Sequence, residues 1–211
     1  VGRPPNTDPA VTRNRILQAA IDLFGENGRE GAAIREVARR AEVSMSTVLH
    51  HFGSKQGLFD ACIEKMFGYL AEHSETMFSL AREFDRPTEA TDAIVRRCFR
   101  FAREHARLLR VITCESVTSG RTPETVRDEL AIATLDRAAD VVTALGDWSQ
   151  AQARVKVLSI CHIITRFVLT DPLELRDSLR LDTNGDPDAV YDILENQVAR
   201  NAALLLWGQL N

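Results

Sequence analysis

The stretch "VARRAEVSMSTVLHHFGSK", residues Val37–Lys55, decides how this chain folds. On its N-terminal side it completes "AIREVARRAEV", where Ile34, Val37, Ala38 and Ala41 line one narrow face of a short helix. On its C-terminal side Val48 and Phe52 anchor a second helix. The turn left between them is roughly three residues long, too short for two helices to lie antiparallel, so they cross steeply as a helix-turn-helix. Ala38 is small where the helices cross, Val43 sits in the turn, and Ser44 has the hydroxyl of an N-cap. Met45, Ser46, Leu49 and His50 are left pointing outward, free to enter a DNA major groove.

Working outward, "TRNRILQAAIDLFGENG" reads as a preceding helix with Ile16, Ala19, Ala20, Leu23 and Phe24 on one face. Asn27-Gly28 supplies its stop, and Arg29–Ala32 links it to the next helix. A fourth helix begins near Ser54 and runs through "KQGLFDACIEKMFGYLAEH". Longer helices follow over Pro87–Glu104, Ala106–Val117, Pro123–Leu145 and Ser149–Thr170. "PLELRDSLRL" is a short helix, "DTNGDPD" a loop, and Pro187–Gln209 a closing helix. Strand-like alternation and internal repeats are missing from the pattern. The reading is all-α with about nine helices: an N-terminal three-helix domain over residues 1–56, with an N-terminal arm, followed by a larger helical domain over 57–211.

Composition narrows the class. Of 211 residues 45% are hydrophobic and 27% charged, enough to bury a core. A net charge of -4 excludes a protein that coats nucleic acid through bulk charge. Basic residues nonetheless slightly outnumber acidic ones in residues 1–60, so an anionic partner meets that part more easily. Cys62, Cys98, Cys114 and Cys161 have apolar neighbours and no metal spacing, and read as small core residues in a reducing compartment. The N-terminal residues look unlike a signal peptide, and runs such as "ALLLW" are too short to span a membrane. The expectation is a cytoplasmic protein. His50 and His51 are adjacent, so on a helix they diverge by about 100° and cannot chelate one metal. No metal site or cofactor is expected, and no nucleophile-base motif, HExxH or phosphate loop suggests an enzyme.

"ILQAAIDLFGENGREGAAIREVARRAEVSMSTVLHHFGSKQGLFDA" resembles the DNA-binding domain of the tetracycline-repressor (TetR) family. The shared pattern is an apolar first helix ending in Phe and Gly, "IREVA", "VSxxT", and then "HF" and "SK" ahead of a leucine. The resemblance implies a homodimeric transcriptional regulator, usually a repressor, released from a palindromic double-stranded operator by a small-molecule effector held in the C-terminal domain. By motif position Arg35 reaches a base edge, and Ser44, Met45, Ser46, Thr47, Leu49 and His50 occupy the recognition helix. His51 and Lys55 match positions that contact phosphate. Lys55 stands where a helix dipole disfavours a cation, and a nearby phosphate would account for it. In the arm, "GRPP" allows Arg3 to enter a narrow minor groove, or to be part of a disordered tail.

This chain departs from the family pattern at several positions. Ala32 and Ala33 stand where a helix-capping threonine is usual, so that cap and its phosphate contact are lost. Glu42 stands where glycine is common, at a turn position that favours a left-handed backbone. Leu49 replaces an aromatic residue; it cannot donate to phosphate but can pack on a thymine methyl.

The C-terminal helices carry polar groups on apolar faces. Phe101, His105, Ile112, Glu115, Cys161, His162 and Arg166 are candidate pocket residues, though such groups also satisfy one another or meet a partner subunit. The resemblance places a dimer interface on residues 149–170 and 187–209, with Leu158, Thr165, Val190, Leu194, Val198, Ala202 and Leu205 as candidates. The alternative is a helical small-molecule-binding protein or enzyme that has lost DNA binding.

Overall fold

A computed structural model describes residues 8–120 and 132–208 of the chain. Arg3 and the expected helix start at Pro123 lie outside the described residues. Ten helices are present among those described, and no strand. In chain order they are α1 (Pro9–Gly31), α2 (Ile34–Arg40), α3 (Met45–Phe52), α4 (Lys55–Ala81), α5 (Pro87–Glu104), α6 (Ala106–Ser119), α7 (Ile132–Leu145), α8 (Gln150–Leu169), α9 (Pro172–Leu179) and α10 (Pro187–Trp207).

The chain divides into two compact units. The first joins Val1–Gly68 to Arg107–Val126, and the second joins Tyr69–Ala106 to Arg127–Asn211. The break expected after residue 56 falls inside the first unit, for two reasons. Leu58, Phe59, Cys62 and Met66 of α4 are fully buried, and Phe59 meets Phe24 edge-on at 5.3 Å. α6 also packs on α1. Arg107 Nη1 reaches Asp22 Oδ1 at 2.7 Å, and a Cβ added at Gly25 would lie 3.2 Å from the Arg107 carbonyl oxygen. Further along α1, the Arg29 guanidinium lies over the Phe59 ring, donates to Gln56 Oε1 at 2.6 Å and stands 3.6 Å from Glu115.

Local signals set the helix ends of this unit. Asp8 accepts from Ala10 N at 2.9 Å and Pro9 opens α1. Gly28 takes φ 69 and breaks the helical path at the expected stop, and a short further turn runs to Gly31 before the link to α2. Ala33, at the N-cap of α2, gives no side-chain cap, as the alanines imply. It ends with Val43 N bonding to Ala38 O and Glu42 N to Arg39 O, a Schellman motif with Glu42 in the left-handed position at φ 52. Glu42→Gly is therefore expected to raise stability by about 1 kcal/mol, read as a higher melting temperature. Ser44 caps α3 by accepting from Thr47 N at 3.1 Å, and Ser54 caps α4 through Gly57 N at 3.0 Å. Ile16, Leu23, Phe24, Val37, Ala38 and Val48 close the core.

In the second unit α10 packs along α5 and also contacts α8 and α9, while α7 pairs with α8. Ser149 and Gln152 form a capping box at the start of α8, and Asp171 and Asp186 cap α9 and α10. Trp207 Nε1 donates to Thr91 Oγ1 at 2.9 Å, fixing the end of α10 against α5. Lys156 lies over the Trp148 ring and donates to the Leu205 carbonyl. No helix among the described residues is long and apolar enough to cross a membrane.

Candidate nucleic-acid interface and effector site

The outward face of α3 carries Met45, Ser46, Leu49 and His50, all exposed, beside the exposed cap Ser44. Thr47 and His51 are half-buried. The inward anchor Val48 is fully buried, which sets this rotation of the helix. Arg35 on α2 is exposed and has no hydrogen-bond or ionic partner among the described residues. Its neighbours Arg39 and Arg40 differ. Arg39 forks onto Glu36 at 2.6 and 2.9 Å, and Arg40 forks onto Glu26 at 2.8 and 3.0 Å. The Arg39 hydrogen bonds, with help from Arg40, hold the Glu36 carboxyl down at about 2. Arg35 is thus the α2 arginine whose donors are unspent.

Two further contacts bear on this face. Lys55, at a position that the resemblance assigns to phosphate contact, donates from Nζ to the Glu30 carbonyl at 3.0 Å. That carbonyl belongs to the last turn of α1, where the dipole welcomes a cation, so the lysine has a structural role. Arg13, which the sequence reading did not single out, lies with its guanidinium 4.9 Å from the Phe52 ring centre. It brings a positive charge to the end of α3, and no local sequence signal announced it because the contact is made across the chain. His50 and His51 meet edge-on with ring centres 5.7 Å apart. Among the described residues no group of three or more His, Cys, Asp or Glu side chains is placed to share a metal ion.

The seven pocket candidates are divided between the two units. Ile112 and Glu115 belong to the first unit, where Glu115 faces Arg29. Cys161, His162 and Arg166 are exposed on α8. Phe101 and His105 belong to a stack of rings between α4 and α5. His73 lies parallel to Phe101 at 4.0 Å, His105 tilts against Phe101 at 4.5 Å, and Tyr69 stacks on His105 at 4.5 Å. A cavity of about 450 Å3 opens elsewhere in the second unit, lined by Arg100, Arg103, Glu104, Ala106, Val168 and Tyr191. None of these six is among the seven candidates. Arg103 lies over the Tyr191 ring at 4.2 Å and donates to Asp188 at 2.7 Å.

Within the ring stack, His73 Nε2 is buried with no hydrogen-bond partner. Burial lowers the pKa of His73, assisted by Arg97 and His105 and opposed by Glu104. Burial lowers His105 as well, again against Glu104. A lowered imidazole pKa means that the unfolded chain takes up protons first. The contribution of the stack is therefore complete above the ordinary value of about 6.5 and is lost as pH falls below it. The melting temperature is expected to drop between about pH 7.5 and about pH 5, and to drop less in His73→Phe, which keeps the ring and removes the base.

The cysteines divide. Burial pushes the thiols of Cys62 and Cys98 up to about 12, so neither is a nucleophile. Cys114 and Cys161 are exposed as residues, although burial raises the Cys161 thiol as well.

Most interface candidates on α10 also move inward. Val190, Leu194, Val198 and Ala202 are buried against the chain's own helices and belong to its core. Leu158 and Leu205 are exposed and Thr165 is half-buried. Val155, Ile193 and Leu204 join them as large exposed apolar residues of α8 and α10.

Fold and motif define an all-helical protein that carries a helix-turn-helix near its N-terminus. Residues 16–62 match the family described as bacterial regulatory proteins, tetR family. It is 40% identical over 74 residues to the HTH-type transcriptional regulatory protein RaaS of Mycobacterium tuberculosis, covering 35% of this chain and 32% of RaaS. The chain's match thus spans about a third of that relative's length. The fold is shared with the TetR-family regulator PfmR of Thermus thermophilus, with a TM-score of 0.63 at 20% identity over 94% of this chain and 97% of PfmR. It is also shared with the Bacillus subtilis regulator FadR in complex with stearoyl-CoA, at 0.63 and 17% over 93% and 99%.

Proposed function

We propose that this chain is a DNA-binding transcriptional regulator that acts as a homodimer and releases a palindromic operator when a small molecule binds its second unit. The observation that carries the reading is the outward face of α3 together with the unpartnered guanidinium of Arg35. A guanidinium with free donors can fork onto the O6 and N7 edge of guanine, and the capped N-terminus of α3 suits a phosphate. Arg13, His51 and the remaining donors of Lys55 are backbone-phosphate candidates, and Arg3 a minor-groove one. The work is done on chromosomal DNA, hence in the cytoplasm.

The exposed Val155, Leu158, Ile193, Leu204 and Leu205, with Thr165 beside them, supply apolar area for pairing two copies through α8 and α10. Such a dimer sets two α3 helices roughly 34–36 Å apart on one face of DNA. A small molecule that prefers a different spacing shifts the population off the operator. FadR, seen with stearoyl-CoA, supports an effector role for the helical second unit.

The test is binding of the purified chain to its own promoter DNA against random DNA, across a salt series. The expected results are a preference for the promoter, weakening as salt rises, and loss of that preference in Arg35→Ala with an unchanged melting temperature. Equal binding of promoter and random DNA would sink the reading and favour a helical small-molecule binder.

A further inference from the structure

We propose that Met45 and Leu49 read thymine in the operator through its C5-methyl group, so that base choice under α3 rests on apolar contact. The proposal rests on the DNA-binding reading above and adds the chemical group that is recognised.

The residues of α3 that face outward divide by chemistry. The hydroxyls turn on one another. Ser44 Oγ lies 2.7 Å from Ser46 Oγ and 2.8 Å from Thr47 Oγ1, and it also accepts from Thr47 N. The Ser46 and Thr47 side chains are thereby drawn to the cap rather than extended toward a base edge. Met45 and Leu49 are one helical turn apart on the same face, 52% and 37% exposed. Neither tip packs into the three-helix core, whose inward positions are taken by Val37, Ala38 and Val48.

In the major groove the one apolar group a base pair offers is the thymine methyl. Four helical residues span about 6 Å, close to two base-pair steps of about 3.4 Å each. Met45 and Leu49 therefore address two thymines within two steps of each other in each half-site. Arg35 on α2 and the exposed His50 on α3 remain as polar readers, with guanine the target of Arg35. Guanine and thymine contacts then come from different helices and different physics.

The experiment uses the full chain and a promoter fragment it binds, synthesised once with thymine and once with uracil throughout. Uracil keeps every hydrogen-bonding group and lacks the methyl. The wild-type chain is expected to lose about fourfold in affinity for each contacted methyl, the equivalent of one buried carbon. A Met45→Ser/Leu49→Ser variant is expected to bind the two DNAs alike. Circular dichroism and melting check its fold, and the uracil arm with wild-type protein needs no mutation. Equal wild-type affinity for both DNAs overturns the proposal and leaves the regulator reading intact. An equal loss in wild type and variant assigns the effect to DNA shape and overturns it too. No preference for promoter over random DNA, with thymine present, overturns both.

Discussion

Gly57→Ala is expected to lower the stability of the first unit by about 1–3 kcal/mol, against the usual sign for such a change. Gly57 lies in the first turn of α4, and in an ordinary helix alanine is better than glycine by about 1 kcal/mol. Here an added Cβ would stand 2.2 Å from the Phe52 carbonyl oxygen and 3.4 Å from its carbon. Both belong to backbone at the end of α3, so no side chain can swing away. The turn opens, the Ser54 cap on Gly57 N is strained, and α3 moves on its support. Promoter affinity should fall with the melting temperature. Gly68→Ala is the control in the same helix: a Cβ there meets nothing within 4 Å, and the change should stabilise. If Gly57→Ala melts at or above the wild-type temperature, the close approach is not constraining.

The second large effect concerns Glu195. This carboxylate is buried on α10, bonded by Arg100 Nε and Nη2 at 3.1 and 2.8 Å, with Arg96 Nη1 at 3.6 Å. Replacing both arginines with methionine keeps much of the aliphatic packing and strands the charge. Because the Arg100 side chain is itself largely exposed, the loss should be about 1–3 kcal/mol, measured as a lower urea midpoint. Adding Glu195→Met to that double variant should recover part of the loss, since the penalty comes from an uncompensated charge and not from the missing contacts. A double variant within roughly 0.5 kcal/mol of wild type would show that water reaches the carboxylate.

The helix-turn-helix was legible because it is local. A tight turn, a small residue at the crossing, a cap serine and period-3.6 apolar positions all lie within Val37–Phe52 and constrain one another. The strain at Glu42 and the missing cap at Ala33 were legible for the same reason. The apolar stripe of α10 was legible as a stripe, but its partner was not. Periodicity says that Val190, Leu194, Val198 and Ala202 are buried, without saying whether their own chain or a second one buries them. Lys55 shows the same limit, since one cation suits a phosphate or a helix end equally well.

From the order of its residues alone this chain is all-helical, carries a helix-turn-helix over Val37–Lys55, and presents Met45, Ser46, Leu49 and His50 outward, while Arg35 is singled out by the family resemblance. Spacing along a helix fixes direction, and direction is local. Which groups meet across the chain was settled by packing. The cavity at Arg100 and Arg103, the His73 and Phe101 stack, the burial of Glu195 and the tie from Lys55 to Glu30 each join residues on different helices. No helical period carries that information, because it depends on where loops and caps return the chain and on which faces exclude water together.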